Sequence, residues 1–207
     1  MKNVYTIGYS SFEVEDFVNV LKKYHITSLI DVRSYPSSKF YQDYNKGNIE
    51  KILKSNGIIY RNYSSHFGAR QSDKKYYKTG YMDFSEYVQS ESFKEGMRKI
   101  EAGMDLNYVF VLMCAEKDPS LCHRSIMVAR EFYKKGYEVR NILADGSYIT
   151  QEQIEQDLVK HYFPTMDQTS FLSDSLSFDE MVEKSYHLRN SEIGYRLDVD
   201  IVGRISV

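Results

Sequence analysis

Tryptophan is absent from this 207-residue chain, cysteine occurs twice and proline three times. Two cysteines in so long a chain exclude a disulfide framework as the source of its stability. No apolar run approaches the ~20 residues of a membrane-spanning helix, so no membrane partner is expected. The first residues, Met1-Lys2-Asn3-Val4-Tyr5, lack the basic region and apolar stretch of a secretory signal. The expected compartment is therefore the cytoplasm, where both thiols stay reduced and free for chemistry. Charge of one sign is not in excess either. With a formal net charge of -2, an anionic ligand has to be met by a local basic patch.

What is present is the balance of an ordinary folded domain, 42% hydrophobic and 27% charged residues. The length suits one well-buried domain with an appendage. The 19 tyrosines supply amphipathic rings, which serve as half-buried packing or as pocket walls. No internal repeat is visible.

Val4-Tyr5-Thr6-Ile7 reads as a first strand, ended by Gly8. Ser11 is the expected cap of a helix whose apolar positions Val14, Phe17, Leu21 and Tyr24 recur at helical spacing. Ser28-Leu29-Ile30-Asp31-Val32 then completes a β-α-β unit, with the right-handed crossover that parallel strands favour. A loop from Arg33 to Gly47 leads to a short helix near Asn48 to Ser55, stopped by Asn56-Gly57. Ile58-Ile59-Tyr60 opens a third strand. Ser64 to Tyr81 is polar and without clear periodicity, and loops of that length tend to be functional or mobile. One helix is expected over Asp83 to Gly103, a fourth strand over Tyr108 to Met113, and a helix over about Ser120 to Lys135. Glu138 to Leu143 and Thr150 to His161 add a fifth strand and a further helix.

This alternation predicts a three-layer α/β domain over residues 1–163, with a mostly parallel sheet of about five strands. Pro164 and the Ser/Thr/Asp-rich run to Ser177 mark a boundary. Residues 164–207 then form a C-terminal extension, with a helix near Phe178 to His187 and an alternating strand, Leu197 to Ile201. Such a tail adds an edge strand, docks onto the core, or pairs with another copy.

In an α/β sheet the carboxyl ends of the strands share one rim, where loops remote in sequence converge. Four loops meet that condition: Gly8-Tyr9-Ser10-Ser11, Asp31 to Ser38, His66 to Arg70, and Met113 to Arg124. Together they gather Arg33, Arg70 and Arg124, whose forked donors suit phosphate or carboxylate. The competing reading is that Arg33 pairs with Asp31 or Glu116 and only ties loops together.

The Met113–Arg124 loop holds both cysteines. Asp118 with Pro119 behind it, or Ser120, caps the following helix, and either choice puts Cys122 at its first turn. There the helix dipole and Arg124 would favour a thiolate. Nucleophile, metal ligand, anion-site donor and plain buried side chain all stand as readings of Cys122; Cys114, at a strand end, reads as core. Glu116 is the candidate acid/base, with a salt bridge to Arg33 or Arg124 as its plain alternative. His66 and His123 are candidate proton-transfer partners.

Zinc is disfavoured, because no paired C-x-x-C is present and consecutive helical residues point about 100° apart. Cys114-Ala115-Glu116 has the form of the ligand-x-Glu element of zinc deaminases, but the later Pro-Cys-x-x-Cys is missing. Neither cysteine stands at the right distance from Arg124 for a cysteine-phosphatase or rhodanese loop. No cofactor motif is found, and the cofactor stays unknown.

Several of these segments together resemble the bacterial family catalogued as domain of unknown function 488. The matching pieces are Tyr5 to Ser10, Asp31-Val32-Arg33-Ser34 with Pro36 and Ser38, Phe67-Gly68-Ala69-Arg70, and Cys114-Ala115-Glu116 with Pro119 and Cys122-His123-Arg124. Family members often have His in place of Tyr9 and Gly in place of Ala69. The resemblance covers about residues 3 to 145 and not the tail from Pro164. It implies the α/β fold and the importance of these loops, and it implies no reaction.

Three functions compete. The first is an enzyme, a transferase or hydrolase, acting on a phosphate-bearing small molecule or nucleotide. Gly8, Ser10, Asp31, Arg33, Ser34, Gly68, Arg70 and Arg124 would form its anion site, with Glu116, Cys122 and His123 catalytic. The second is a nucleic-acid module, because Arg70 to Lys78 interleaves basic and aromatic residues. The third is a non-catalytic ligand sensor, whose tail would relay occupancy to a partner or to a second copy.

Overall fold

The computed structural model describes residues 2–164 and 176–197. Six segments form strands: β1 (Asn3–Gly8), β2 (Ser28–Asp31), β3 (Ile59–Asn62), β4 (Phe110–Cys114), β5 (Glu138–Ile142) and β6 (Tyr148–Thr150). They make one sheet in the order β3-β2-β4-β1-β5-β6. The first five are parallel, and β6 returns antiparallel against β5. The central strands are apolar on both faces, as a parallel sheet covered on two sides requires. Tyr5, Ile7, Leu29, Val111 and Met113 point to one core; Val4, Ile30, Leu112 and Cys114 point to the other.

Eight α-helical segments accompany the sheet: α1 (Val14–Lys23), α2 (Lys46–Ser55), α3 (Ser64–Phe67), α4 (Phe84–Tyr87), α5 (Glu91–Asp105), α6 (Arg130–Lys134), α7 (Gln151–Tyr162) and α8 (Phe178–Ile193). Phe17 and Leu21 of α1 and Ile49 and Leu53 of α2 cover one face. Met97 and Ile100 of α5, Ile154 and Leu158 of α7, and Val182 and Tyr186 of α8 cover the other. This is the three-layer α/β arrangement, with one strand more than the expected five. The sixth, three residues long, follows a turn in which Gly146 has a φ of 73°.

Several helical segments differ from the sequence expectation. Ser11 lies in a 3-10 turn (Tyr9–Ser11), Phe12 is extended and buried, and α1 starts beyond it at Val14, with Glu13 at the N-cap position making no side-chain cap. Asp83 to Gly103 is two helices, since Asp83 caps α4 and Ser90 accepts the Phe93 N–H to start α5. The polar segment contains α3 and a 3-10 turn at Lys74–Tyr77. The single helix expected over Ser120 to Lys135 is a 3-10 turn (Pro119–Leu121), an extended Cys122, a π-helix (Arg124–Ala129) and then α6. Asp118 does cap, with Pro119 at the first position, but what it caps is the 3-10 turn.

The helix of the extension runs to Ile193, beyond the expected His187, and docks on the core. Asn190 ties it to the main chain of the domain, accepting the Phe84 N–H and donating to the Met82 carbonyl. The strand expected over Leu197 to Ile201 lies, beyond Leu197, outside the described residues. Among the described residues, no helix is long and apolar enough to cross a membrane.

Candidate functional site

The ends of β1, β2 and β4 are adjacent in the sheet, so the loops that leave them meet at one rim. A cavity of about 510 Å³ opens there. Cys114, Glu116 and His123 line one part of it. Arg33, Ser34, Tyr35, Ser37 and Ser38 come from the loop after β2, Ala69 and Arg70 from the loop after α3, and Tyr9 from the loop after β1. Ala115 and Leu121 of the loop after β4, with Ile193 and Tyr195 of the C-terminal extension, complete the lining.

The floor is a cluster of four donor groups. The Cys114 and Cys122 sulfurs, a Glu116 carboxylate oxygen and a His123 ring nitrogen all lie within 4.8 Å of one another. Cys122 Sγ and Glu116 Oε2 are hydrogen-bonded at 2.9 Å, and His123 Nδ1 lies 3.7 Å from Cys114 Sγ. The outer ring nitrogen of His123, Nε2, is 3.0 Å from the Val32 carbonyl oxygen. A carbonyl only accepts, so Nε2 carries a proton, and when the ring is neutral its Nδ1 lone pair faces the sulfurs. The divergence expected of consecutive helical residues does not apply. Cys122 is extended (φ -130°, ψ 135°) and His123 is helical, and the kink between them aims both side chains at one point.

Burial and proximity set the protonation of this cluster. Burial pushes the Cys114 thiol well up, and the neighbouring Cys122 sulfur adds to it. For Cys122 burial acts in the same upward sense, but the Cys114 hydrogen bond, the Arg124 charge and His123 outweigh it and hold the thiol well below its ordinary value. Burial and the Cys122 charge raise Glu116. Burial would lower His123, yet the hydrogen bond and charge of Cys122 raise it. The two thiols are therefore pushed in opposite directions. Cys114 is nonetheless a member of the cluster and not mere core.

Arg124 supports this floor from behind. It is fully buried, with Nη1 donating to the Glu116 carbonyl at 2.6 Å and Nε to Thr6 Oγ1 at 3.3 Å. Gly8 allows the same close approach, because a Cβ there would lie 1.9 Å from the Glu116 carbonyl oxygen. Thr6 in turn joins a buried polar network through Asn141 to Ser125 and Gln151. Neither Gly8 nor Arg124 lines the cavity; both position the Glu116 loop.

Arg33 does line it, with most of its donors already used. Nε and Nη2 bind the Asp31 carboxylate at 2.9 and 2.6 Å, and Nη2 also donates to the Tyr44 carbonyl. Burial opposes its charge, but Asp31 outweighs burial and raises its pKa. The buried Nη1 has no partner among the described residues. Asp31 is fully buried and also accepts from Tyr60 at 2.7 Å, so it serves Arg33 and not a ligand. Ser34 Oγ accepts the Arg70 N–H at 2.9 Å, and Gly68 is needed because a Cβ there would press on Ser64 O and Ser34. The Arg70 guanidinium lies over the rings of Tyr195 and Tyr35, 4.4 and 5.6 Å from their centroids.

Of the residues singled out from the sequence, Arg33, Ser34, Arg70, Glu116 and His123 line the cavity. Cys122 lies buried behind Glu116. Asp31, Gly8, Gly68 and Arg124 are supports, and Ser10 N–H only braces the Ala115 carbonyl at 3.2 Å. His66 is elsewhere, bound to Ser92 and Lys99 of α5. Sequence reasoning missed Tyr9, Tyr35 and Tyr195 as lining residues. In the Arg70–Lys78 segment Tyr76 and Tyr77 are buried, and Lys75 pairs with Asp73. Those two rings are therefore core, not an exposed stacking surface.

The family described as "Domain of unknown function DUF488" matches residues 13–130. That span includes the Arg33, Arg70 and cysteine loops and leaves out Gly8 and the extension. No curated protein and no solved structure matches the chain. With more than half of its length inside that match, the chain belongs to the DUF488 family.

Proposed function

We propose that the protein is an enzyme acting on a phosphate-bearing small molecule or nucleotide held in the strand-end cavity. One observation carries this reading: Arg70 and Arg33, whose buried Nη1 has no partner among the described residues, line the same cavity as Cys114, Glu116 and His123. Among the described residues Arg70 has no carboxylate ion pair; its guanidinium rests on aromatic rings and keeps its forked donors for an anion. Ser34, Ser37 and Ser38 add hydroxyl groups, and Tyr9, Tyr35 and Tyr195 add aromatic surface of the kind a base or other flat group packs on. At about 510 Å³ the cavity has the size of a small-ligand site. Arg70 and Arg33 hold the anion, and the thiol, carboxylate and imidazole groups form the reactive end.

The test is a screen of phosphate-bearing metabolites by thermal shift and by product analysis. The expected hit binds the parent protein and loses about 10- to 100-fold in affinity in Arg70→Ala, the worth of one charge-assisted contact. Its turnover disappears in Glu116→Gln. A ligand whose affinity ignores Arg70→Ala, and whose turnover ignores Glu116→Gln, would contradict the proposal.

A further inference from the structure

The floor of the cavity has a composition that a fold does not need for packing. Two thiols, an imidazole and a carboxylate fill a space that apolar side chains would fill without burying polar groups. Each of the four is a ligand for a divalent metal of the zinc class. We infer that Cys114, Cys122 and His123 hold a zinc ion, with Glu116 as a fourth ligand that yields its place to a water or to the incoming substrate.

The distances fit such a centre. Bond lengths near 2.3 Å to sulfur and 2.0–2.1 Å to nitrogen put tetrahedral ligand atoms about 3.6 Å apart. Cys114 Sγ and His123 Nδ1 are 3.7 Å apart. Cys122 Sγ and Glu116 Oε2, at 2.9 Å, are joined by the hydrogen bond that a metal would replace. All the donor pairs fall under 4.8 Å, so closing on an ion requires only side-chain adjustments.

The surroundings are those of a metal site as well. The His123 Nε2–H on the Val32 carbonyl fixes ring and tautomer and presents Nδ1 as the ligand atom. The Arg124 N–H points at Cys122 Sγ at 3.5 Å, an amide donor to a ligand sulfur. Charge balances too. A zinc ion, two thiolates and one carboxylate carry one net negative charge, and the fully buried Arg124, which has no carboxylate ion pair among the described residues, supplies one positive charge beside it.

The roles within the cluster differ by exposure. Cys114, Cys122 and His123 are buried, whereas Glu116 is exposed as a whole residue and lines the cavity, with its carboxylate end turned in against Cys122. Three buried ligands and one exchangeable position facing a cavity describe a catalytic and not a purely structural zinc. The metal site rests on the donor set and stands apart from the phosphate reading of the cavity.

The experiment uses the full chain, purified without chelator under reducing conditions, and incubated with zinc alone or cobalt alone. The expected result is about one zinc per chain, and a cobalt form with the tetrahedral visible bands and the near-ultraviolet sulfur-to-metal absorption of a thiolate site. His123→Ala and Cys122→Ser should lose the bound metal. Glu116→Gln should keep it with an altered cobalt spectrum. Arg70→Ala should leave zinc content unchanged, which separates failure of the metal site from failure of the anion site. A folded parent protein that takes up no zinc, or a cobalt form without thiolate absorption, would overturn the inference. So would retention of the metal by folded His123→Ala and Cys122→Ser.

Discussion

Arg124 Nη1 donates to the main-chain carbonyl of Glu116 at 2.6 Å, inside the space that Gly8 leaves empty. The position of the Glu116 carboxylate over Cys122 follows from this main-chain grip. A buried cation, a missing side chain and a loop carbonyl thus set the geometry of the cavity floor, although neither Arg124 nor Gly8 touches the cavity.

Gly8→Ala is predicted to disturb this loop more than any surface change would. The new Cβ would stand 1.9 Å from the Glu116 carbonyl oxygen, against backbone that cannot swing aside as a flexible side chain would. The expected cost is about 1–3 kcal/mol in urea denaturation, the usual range for overpacking. Metal uptake should fall with it. A variant with parental stability and parental metal content would show that the loop has another resting place.

The buried Arg33–Asp31 pair gives a second prediction. Asp31→Asn leaves a buried guanidinium without its counter-charge and is expected to cost about 3–5 kcal/mol. Replacing both residues by apolar ones of similar volume should cost less than the single change. Denaturant midpoints of both variants measure this. A single variant within about 1 kcal/mol of the parent would mean that Arg33 finds other partners.

A third prediction concerns pH and the docking of α8. Burial holds the Glu155 carboxyl above its ordinary value against the opposing Arg130 charge, while Tyr186 donates to it and Glu183 and Lys134 stand nearby. The folded state binds this proton more tightly than the unfolded state. Its contribution to stability is therefore full below the ordinary carboxylate value and falls as pH rises toward the folded value. Glu183 acts in the opposite sense: burial pushes it up, but Arg130 outweighs burial and holds it down, so its contribution is lost as pH falls. Glu155→Gln should remove the decline on the rising-pH side and leave the acid side. Identical pH–stability profiles for variant and parent would contradict the assignment.

Much of the fold was legible because strong patterns coincide in particular segments. Val4 to Ile7 and Tyr108 to Met113 are apolar on both faces, and helical spacing at Phe17 and Leu21 places α1 between parallel strands. Sites of irregular backbone were not legible. The cap at Asp118 with Pro119 is the same signal whether an α-helix or a 3-10 turn follows, so the extended Cys122 and the π-helix gave no warning. The strand β6 is short, and only the Asp145-Gly146 turn marks it in sequence.

The loops that form the site were found, but the roles inside them were harder to assign. Sequence alone does not say which arginine faces outward: Arg70 meets the cavity, while Arg124 is sealed beneath it. Nor does it say that Tyr195 returns from the extension to lie beside Arg70, since that contact spans more than half the chain. The meeting of Cys114 with Cys122 and His123 depends on the kink at Cys122, which no spacing rule contains.

X-ray absorption at the zinc edge of the reduced, zinc-loaded chain tests the account most directly. The predicted first shell holds two sulfur atoms at about 2.3 Å with nitrogen and oxygen at about 2.0–2.1 Å, and Cys122→Ser, which should lose the metal, should not give it. A first shell of nitrogen and oxygen alone, unchanged by that substitution, would contradict it.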